Sequence, residues 1–252
     1  MPKLFKREFG EGEPLIILHG LMGSSDNWVT LGKQYAEKFH VIIPDQRNHG
    51  QSFHSDEFDY NQMSDDLLEL IDEMGIRKAH LLGHSMGGKV VMQFALENPQ
   101  KVNRLLVADM VPKSYRVDYE TIFKALNAVD LNALASRSEA ENIVSKYIEE
   151  FGVRQFLLKN LTRIDDGYRW KANLEVIQRD IQKMGDWQNS NKTFKGETLF
   201  LMGSKSGYYK EGDESIMETF FPNSQLQFIE AGHWLHAEKP DQFFEASKAF
   251  LL

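Results

Sequence analysis

Between Ala79 and Leu96 the chain reads AHLLGHSMGGKVVMQFAL, and this stretch limits the possible folds most sharply. A short apolar run, His80 to Leu82, meets Gly83-His84-Ser85-Met86-Gly87 and passes directly into a segment of helical character. A strand that turns so abruptly into a helix is the first half of a βαβ unit, and such units build parallel sheets. Three more runs rich in Val, Ile and Leu read as strands: Leu15 to Leu18, Val41 to Ile43 and Arg104 to Ala108. Between them, Met63, Leu67, Leu70, Ile71 and Met74 recur at helical spacing and stop at Gly75. Strands that are apolar throughout, rather than at alternate positions, predict a sheet covered on both faces. Ligands on such sheets bind beyond the carboxyl ends of the strands.

From about Lys113 to Ser190 the pattern changes to amphipathic helical stretches without a convincing strand, one of them opened by Ser138 and Glu141 at capping-box spacing. Strand-like runs resume at Thr198 to Met202 and Leu226 to Ile229, and a last helix follows Pro240. There is no internal repeat and no flexible linker. The reading is therefore one domain over residues 1–252, with residues 113–190 inserted as a helical cap.

Composition narrows the function classes. Acidic residues outnumber basic ones by 37 to 29, giving a net charge of −8 without any basic run, so nucleic acid is not an expected partner. The chain has no cysteine, which excludes disulfides, thiolate metal sites and a cysteine nucleophile. The N-terminal MPKLFKREFGEGE carries charges where a signal peptide needs an apolar run, and no stretch approaches the ~18 apolar residues of a membrane span. A cytoplasmic protein without metal or organic cofactor is expected, acting on a small molecule. Composition does not specify its oligomeric state.

The segment around Ser85 also carries chemistry. A serine at a strand-to-helix turn is held in a strained conformation, with glycines at 83 and 87 because side chains there would collide with the neighbouring strand and helix. The turn lifts the hydroxyl above the sheet edge, and the Met86 N–H lies at the positive end of the following helix, suited to a developing oxyanion. A second oxyanion donor is expected from the loop in LIILHGLMGSSDNW, at the Leu21 N–H. His19 in that loop is read as a structural histidine. For the general base, His233 in FIEAGHWLHAEKP follows the last strand, with Gly232 supplying the turn; His236 is its competitor. The acid has two possible sources. Asp109 ends the strand in RLLVADMVP, whereas the loop after Thr198 to Met202 offers no carboxylate before Glu211 and Asp213. Asp109 is favoured, with the other two in reserve. Asp45, Arg47 and His49 of PDQRNHGQS are read as loop-tying residues, with an anionic substrate as the alternative partner of Arg47.

In order and spacing, LHGLMGSSDNW, PDQRNHGQS, LLGHSMGG and AGHWLHAEKP together resemble the α/β-hydrolase superfamily over nearly the whole chain. The forms HGLMGSSDNW, DQRNHG and VADMVP are similar to its YbfF-like branch of small acyl esterases. That resemblance implies an α/β-hydrolase fold and an acid after the strand that follows the nucleophile helix, hence Asp109. A serine at 85 is incompatible with the alkyl-ester routes of haloalkane dehalogenases and epoxide hydrolases, which need aspartate there. A carboxylesterase or acyl thioesterase is therefore expected, cleaving its substrate through an acyl-enzyme. A carbon–carbon bond hydrolase, a cofactor-free perhydrolase and a non-catalytic ligand receptor on the same fold are the alternatives.

Overall fold

The computed structural model describes residues 3–187 and 191–252. Two short strands, β1 (Lys6–Phe9) and β2 (Glu13–Leu18), lead through α1 (Val29–Tyr35) to β3 (Phe39–Pro44). The periodic segment forms α2 (Tyr60–Glu73); Asp59 caps it by accepting from the Gln62 N–H, and Gly75, at φ 64°, follows its end. Then come β4 (Ala79–His84), α3 (Met86–Glu97) and β5 (Val102–Ala108). The inserted region holds α4 (Glu120–Asn127), α5 (Arg137–Val144), α6 (Phe151–Leu158), the strands β6 (Leu161–Ile164) and β7 (Gly167–Trp170), and α7 (Leu174–Asp180). The chain returns through β8 (Thr198–Gly203), α8 (Glu214–Phe220), β9 (Ser224–Ile229), α9 (Leu235–Glu238) and α10 (Pro240–Leu251).

Seven strands form one sheet in the order β1-β3-β2-β4-β5-β8-β9, parallel throughout except for β1. Successive side chains on a strand point to opposite faces, so each strand feeds two cores. Leu15, Ile17, Val41 and Ile43 pack with α1 and α10 through Leu31, Phe243 and Leu251. Ile16, Leu18 and Ile42 pack on the other side with Leu67, Val90 and Phe94 of α2 and α3. Phe123, Leu126, Leu158 and Ile177 of the insert join this second core, which seats the insert above the carboxyl ends of the strands. Among the described residues no helix is long and apolar enough to cross a membrane.

Three local features differ from the sequence reading. β1 carries Lys, Arg and Glu in a half-buried edge strand, so no apolar run announces it. The insert contains an antiparallel hairpin, β6 with β7, closed over Asp165 and Asp166; its partly exposed residues gave no apolar signal. The helix cap lies two residues earlier than expected and is not a closed capping box. Ser136 accepts from the Glu139 N–H at 3.1 Å, the Glu139 carboxylate accepts from the Ala135 N–H at 2.9 Å rather than from Ser136, and Glu141 pairs with Arg154. The expected end of the insert, Ser190, lies outside the described residues.

Candidate active site

Ser85 occupies the single residue between β4 and α3, with φ 54° and ψ −118°. A non-glycine residue in this region costs on the order of 1–3 kcal/mol, so the surroundings must enforce it. The Ser85 N–H donates to Ala108 O on β5, and its carbonyl accepts from the Lys89 N–H, each at 3.1 Å. The turn is tight enough that a methyl on Gly83 would lie 2.2 Å from Gly87 O, and one on Gly87 would lie 2.5 Å from Leu18 O. These are the collisions that the two glycines avoid.

Three residues from distant parts of the chain meet here. His233 Nε2 is 2.9 Å from Ser85 Oγ, and His233 Nδ1 is 2.6 Å from Asp109 Oδ2. An ionised carboxylate has no proton to give, so Nδ1 is the donor and Nε2 is left to accept from the serine hydroxyl. Asp109, fully buried and also at positive φ (51°), accepts from the Gly203 N–H at 2.8 Å and from the Ser206 hydroxyl. Those bonds leave it one orientation, facing the imidazole. The His233 loop is fixed in turn by His84 Nε2, which donates to His233 O at 2.8 Å. Tyr208 stacks on the imidazole at 4.2 Å; burial and then the Asp109 charge raise its phenol pKa, while the Ser85 hydroxyl lowers it.

The loop after β2 is held by buried neutral histidines. His49 Nδ1 donates to Arg47 O, so its Nε2 accepts the Met22 N–H at 3.1 Å. His19 donates to Gly20 O and accepts from the Gln46 N–H. Burial drives the His49 pKa down to about 3 and lowers that of His19. Asn160, reaching from the insert, donates to Met22 O at 2.8 Å. Met22 itself sits at φ 60°, and the neighbouring Leu21 N–H, like the Met86 N–H, donates to no protein group among the described residues.

The remaining candidates fall elsewhere. His236 is buried, stacked on Trp28 at 4.3 Å, and burial drives its pKa down to about 3. Asp213 pairs with Lys113, and Glu211 is exposed. Asp45 accepts the Ser25 and Gln51 N–H groups, and Arg47 makes a buried two-pronged pair with Asp66 at 2.6 and 2.7 Å. Ser206 and Tyr208 carry no sequence signal of their own, although they lie in the loop after β8, beside the alternative acids Glu211 and Asp213.

A cavity of about 270 Å³ opens beside Ser85, lined by Trp28, Ile122, Phe156, Leu157, His233 and Trp234 among others. Of the apolar side chains between β5 and β8, Phe156 and Leu157 line it, Phe123, Leu126 and Leu158 are buried in the core, and Phe151 is 64% exposed.

A seven-stranded, mostly parallel sheet with a serine between β4 and α3 defines a recognisable class, and residues 13–240 match the model of the alpha/beta hydrolase fold family. The chain belongs to that family. Among curated proteins it is similar to the sn-1-specific diacylglycerol lipase ABHD11 of Danio rerio, 38% identical over 96% of this chain and 79% of the relative. It is also similar to Esterase YbfF of Escherichia coli (strain K12), 34% identical over 94% of this chain and 92% of the relative. Among solved structures, one described as a marine microorganism esterase superposes with a TM-score of 0.97 at 39% identity, covering 99% of this chain and all of the other.

Proposed function

We propose that this protein is a serine hydrolase cleaving carboxylic esters or acyl thioesters, with Ser85 as nucleophile, His233 as general base and Asp109 as its orienting acid. The observation that carries the reading is the unbroken Asp109–His233–Ser85 hydrogen-bonded line, at 2.6 and 2.9 Å. Its likeness to proteins named esterase and lipase supports the reaction class.

Ser85 Oγ attacks the substrate carbonyl carbon as its proton passes to His233 Nε2. The carbonyl oxygen gains negative charge and is held by the Leu21 and Met86 N–H groups. Asp109 stabilises the imidazolium through Nδ1 without taking the proton. When the carbonyl re-forms, the bond to the leaving oxygen or sulfur breaks, and that atom takes the proton from Nε2. A water molecule then repeats the sequence on the acyl-enzyme, losing one proton to His233, releasing the acid and restoring the Ser85 hydroxyl. Residues 113–190 act as a cap over this chemistry, and the protein works in the cytoplasm on small acyl substrates.

The test is hydrolysis of p-nitrophenyl acetate and butyrate by the wild type and by Ser85→Ala. Turnover by the wild type, lost in the variant at unchanged fold, is the expected result. Wild-type-like turnover by the variant would overturn the assignment.

A further inference from the structure

A second cavity, of about 260 Å³, adjoins the first, and both reach Ser85 and Leu21. His233 lines the first cavity but is not part of the wall of the second. The second, partly open, is lined by Tyr60, Met86, Met110, Tyr115 and Met184 among others. We infer that this second cavity receives the acyl chain, that the His233 side receives the leaving group, and that Met184, held on the cavity wall, sets the limit on acyl length.

The inference rests on Ser85 being the nucleophile, and it follows from where the proton must go. When the tetrahedral intermediate collapses, the departing atom takes a proton from His233 Nε2, so it has to lie within hydrogen-bond reach of the imidazole. That places the leaving group on the side lined by His233, Trp234 and Phe156. The oxyanion faces the Leu21 and Met86 N–H groups. The remaining substituent on the carbonyl carbon, the acyl chain, is directed toward Met86 and Met110. At about 260 Å³ the chamber is smaller than the ~300–1,000 Å³ typical of pockets for drug-sized ligands, which suits short acyl chains.

One wall of this chamber is held by a buried amine, that of Lys89, whose pKa burial pushes down to about 7. Lys89, one turn along α3 from Ser85, donates through Nζ to Gly185 O at 2.8 Å and Asp186 O at 2.7 Å, and reaches Met184 O at 3.5 Å. The same nitrogen lies over the Tyr60 and Tyr115 rings, at 5.4 and 5.1 Å. Tyr60 donates its hydroxyl to Met184 O at 2.7 Å, and the Tyr115 N–H donates to Gly185 O at 2.8 Å. Tyr60, Tyr115 and Met184 are therefore all tied to the Lys89 amine and the 184–186 carbonyls, a shared set of contacts that holds this wall in place.

A crossed substrate series tests this. One arm varies the acyl group (p-nitrophenyl acetate, butyrate and hexanoate), and the other varies the alcohol at constant acyl group (ethyl and benzyl butyrate). Met184→Ala is expected to raise the hexanoate-to-acetate ratio of kcat/KM at least fivefold and to leave the benzyl-to-ethyl ratio within twofold. Phe156→Ala is expected to do the reverse. Lys89→Met, checked for folding by circular dichroism, is expected to shift the acyl ratio in the same direction as Met184→Ala, with Lys89→Arg restoring it. If Lys89→Met does not fold, Met184→Ala decides the matter alone. An acyl ratio unmoved by Met184→Ala, or a shift confined to the alcohol arm, would overturn the inference. Turnover retained by Ser85→Ala would instead overturn the nucleophile assignment, whatever the ratios show.

Discussion

Replacing Asp109 by Asn should disable the site without disturbing its shape. The carboxylate accepts three hydrogen bonds: from Gly203 N–H, from the Ser206 hydroxyl and from His233 Nδ1. An amide keeps an oxygen that can accept from Gly203, but its NH₂ then faces Nδ1. The imidazole responds by moving its proton to Nε2, so it donates to Ser85 Oγ where it should accept, and the imidazolium loses its counter-charge. The corresponding change in a serine protease lowers kcat about 10⁴-fold, equivalent to about 5 kcal/mol of barrier. Here the same distances predict a loss of that order in kcat for p-nitrophenyl butyrate at neutral pH. KM should change little, because Asp109 is fully buried and does not line the substrate cavity. The thermal midpoint should remain near that of the wild type. A variant retaining more than about a tenth of wild-type kcat would refute the reasoning, most directly if Asp213→Asn proved the damaging change instead.

Acid should destabilise the protein through histidines that the fold keeps neutral. His49 and His236 titrate at about 3 in the folded chain, against an ordinary 6.5, because burial penalises their charged forms. Between these values the unfolded chain binds more protons, so the stability present above pH 6.5 is lost as pH falls through the window, by up to ~1.4 kcal/mol per pH unit per histidine. Thermal melts from pH 7 to pH 4 should show a steady fall, and a flat profile would contradict it. Gly83→Ala places a methyl 2.2 Å from Gly87 O and 2.6 Å from Val91 Cγ2. It should cost about 1–3 kcal/mol, or roughly 2–12 °C of melting temperature, together with activity. Unchanged melting and turnover would show that the elbow is looser than its geometry.

The positions of candidate residues that end apolar strands were legible in the sequence, because in a parallel sheet position along the strand fixes position in space. Ser85 and Asp109 follow β4 and β5, and His233 follows β9, so the residue order alone places them at one edge. The supporting contacts were not legible. Ser206 on Asp109 and Tyr208 on His233 depend on how a loop without periodicity folds back. The side chain of His84 points away from Ser85, and that direction lets it hold the His233 carbonyl, a contact no sequence pattern marks. Within the insert, the hairpin and the position of the α5 cap escaped notice because short, half-exposed elements carry little hydrophobic pattern. Nothing in the helical pattern marks Lys89, and only the fold gathers the carbonyls of 184–186 on its Nζ.

The most direct test of the central claim is to trap the nucleophile. Treatment of the folded protein with a fluorophosphonate, followed by intact-mass measurement and peptide mapping, should give one phosphonyl group per chain, located on Ser85. Labelling should disappear on heat denaturation and in the Ser85→Ala variant, and should be strongly slowed in a His233→Ala variant. Modification of a different residue, or no modification of well-folded wild-type protein, would contradict the account.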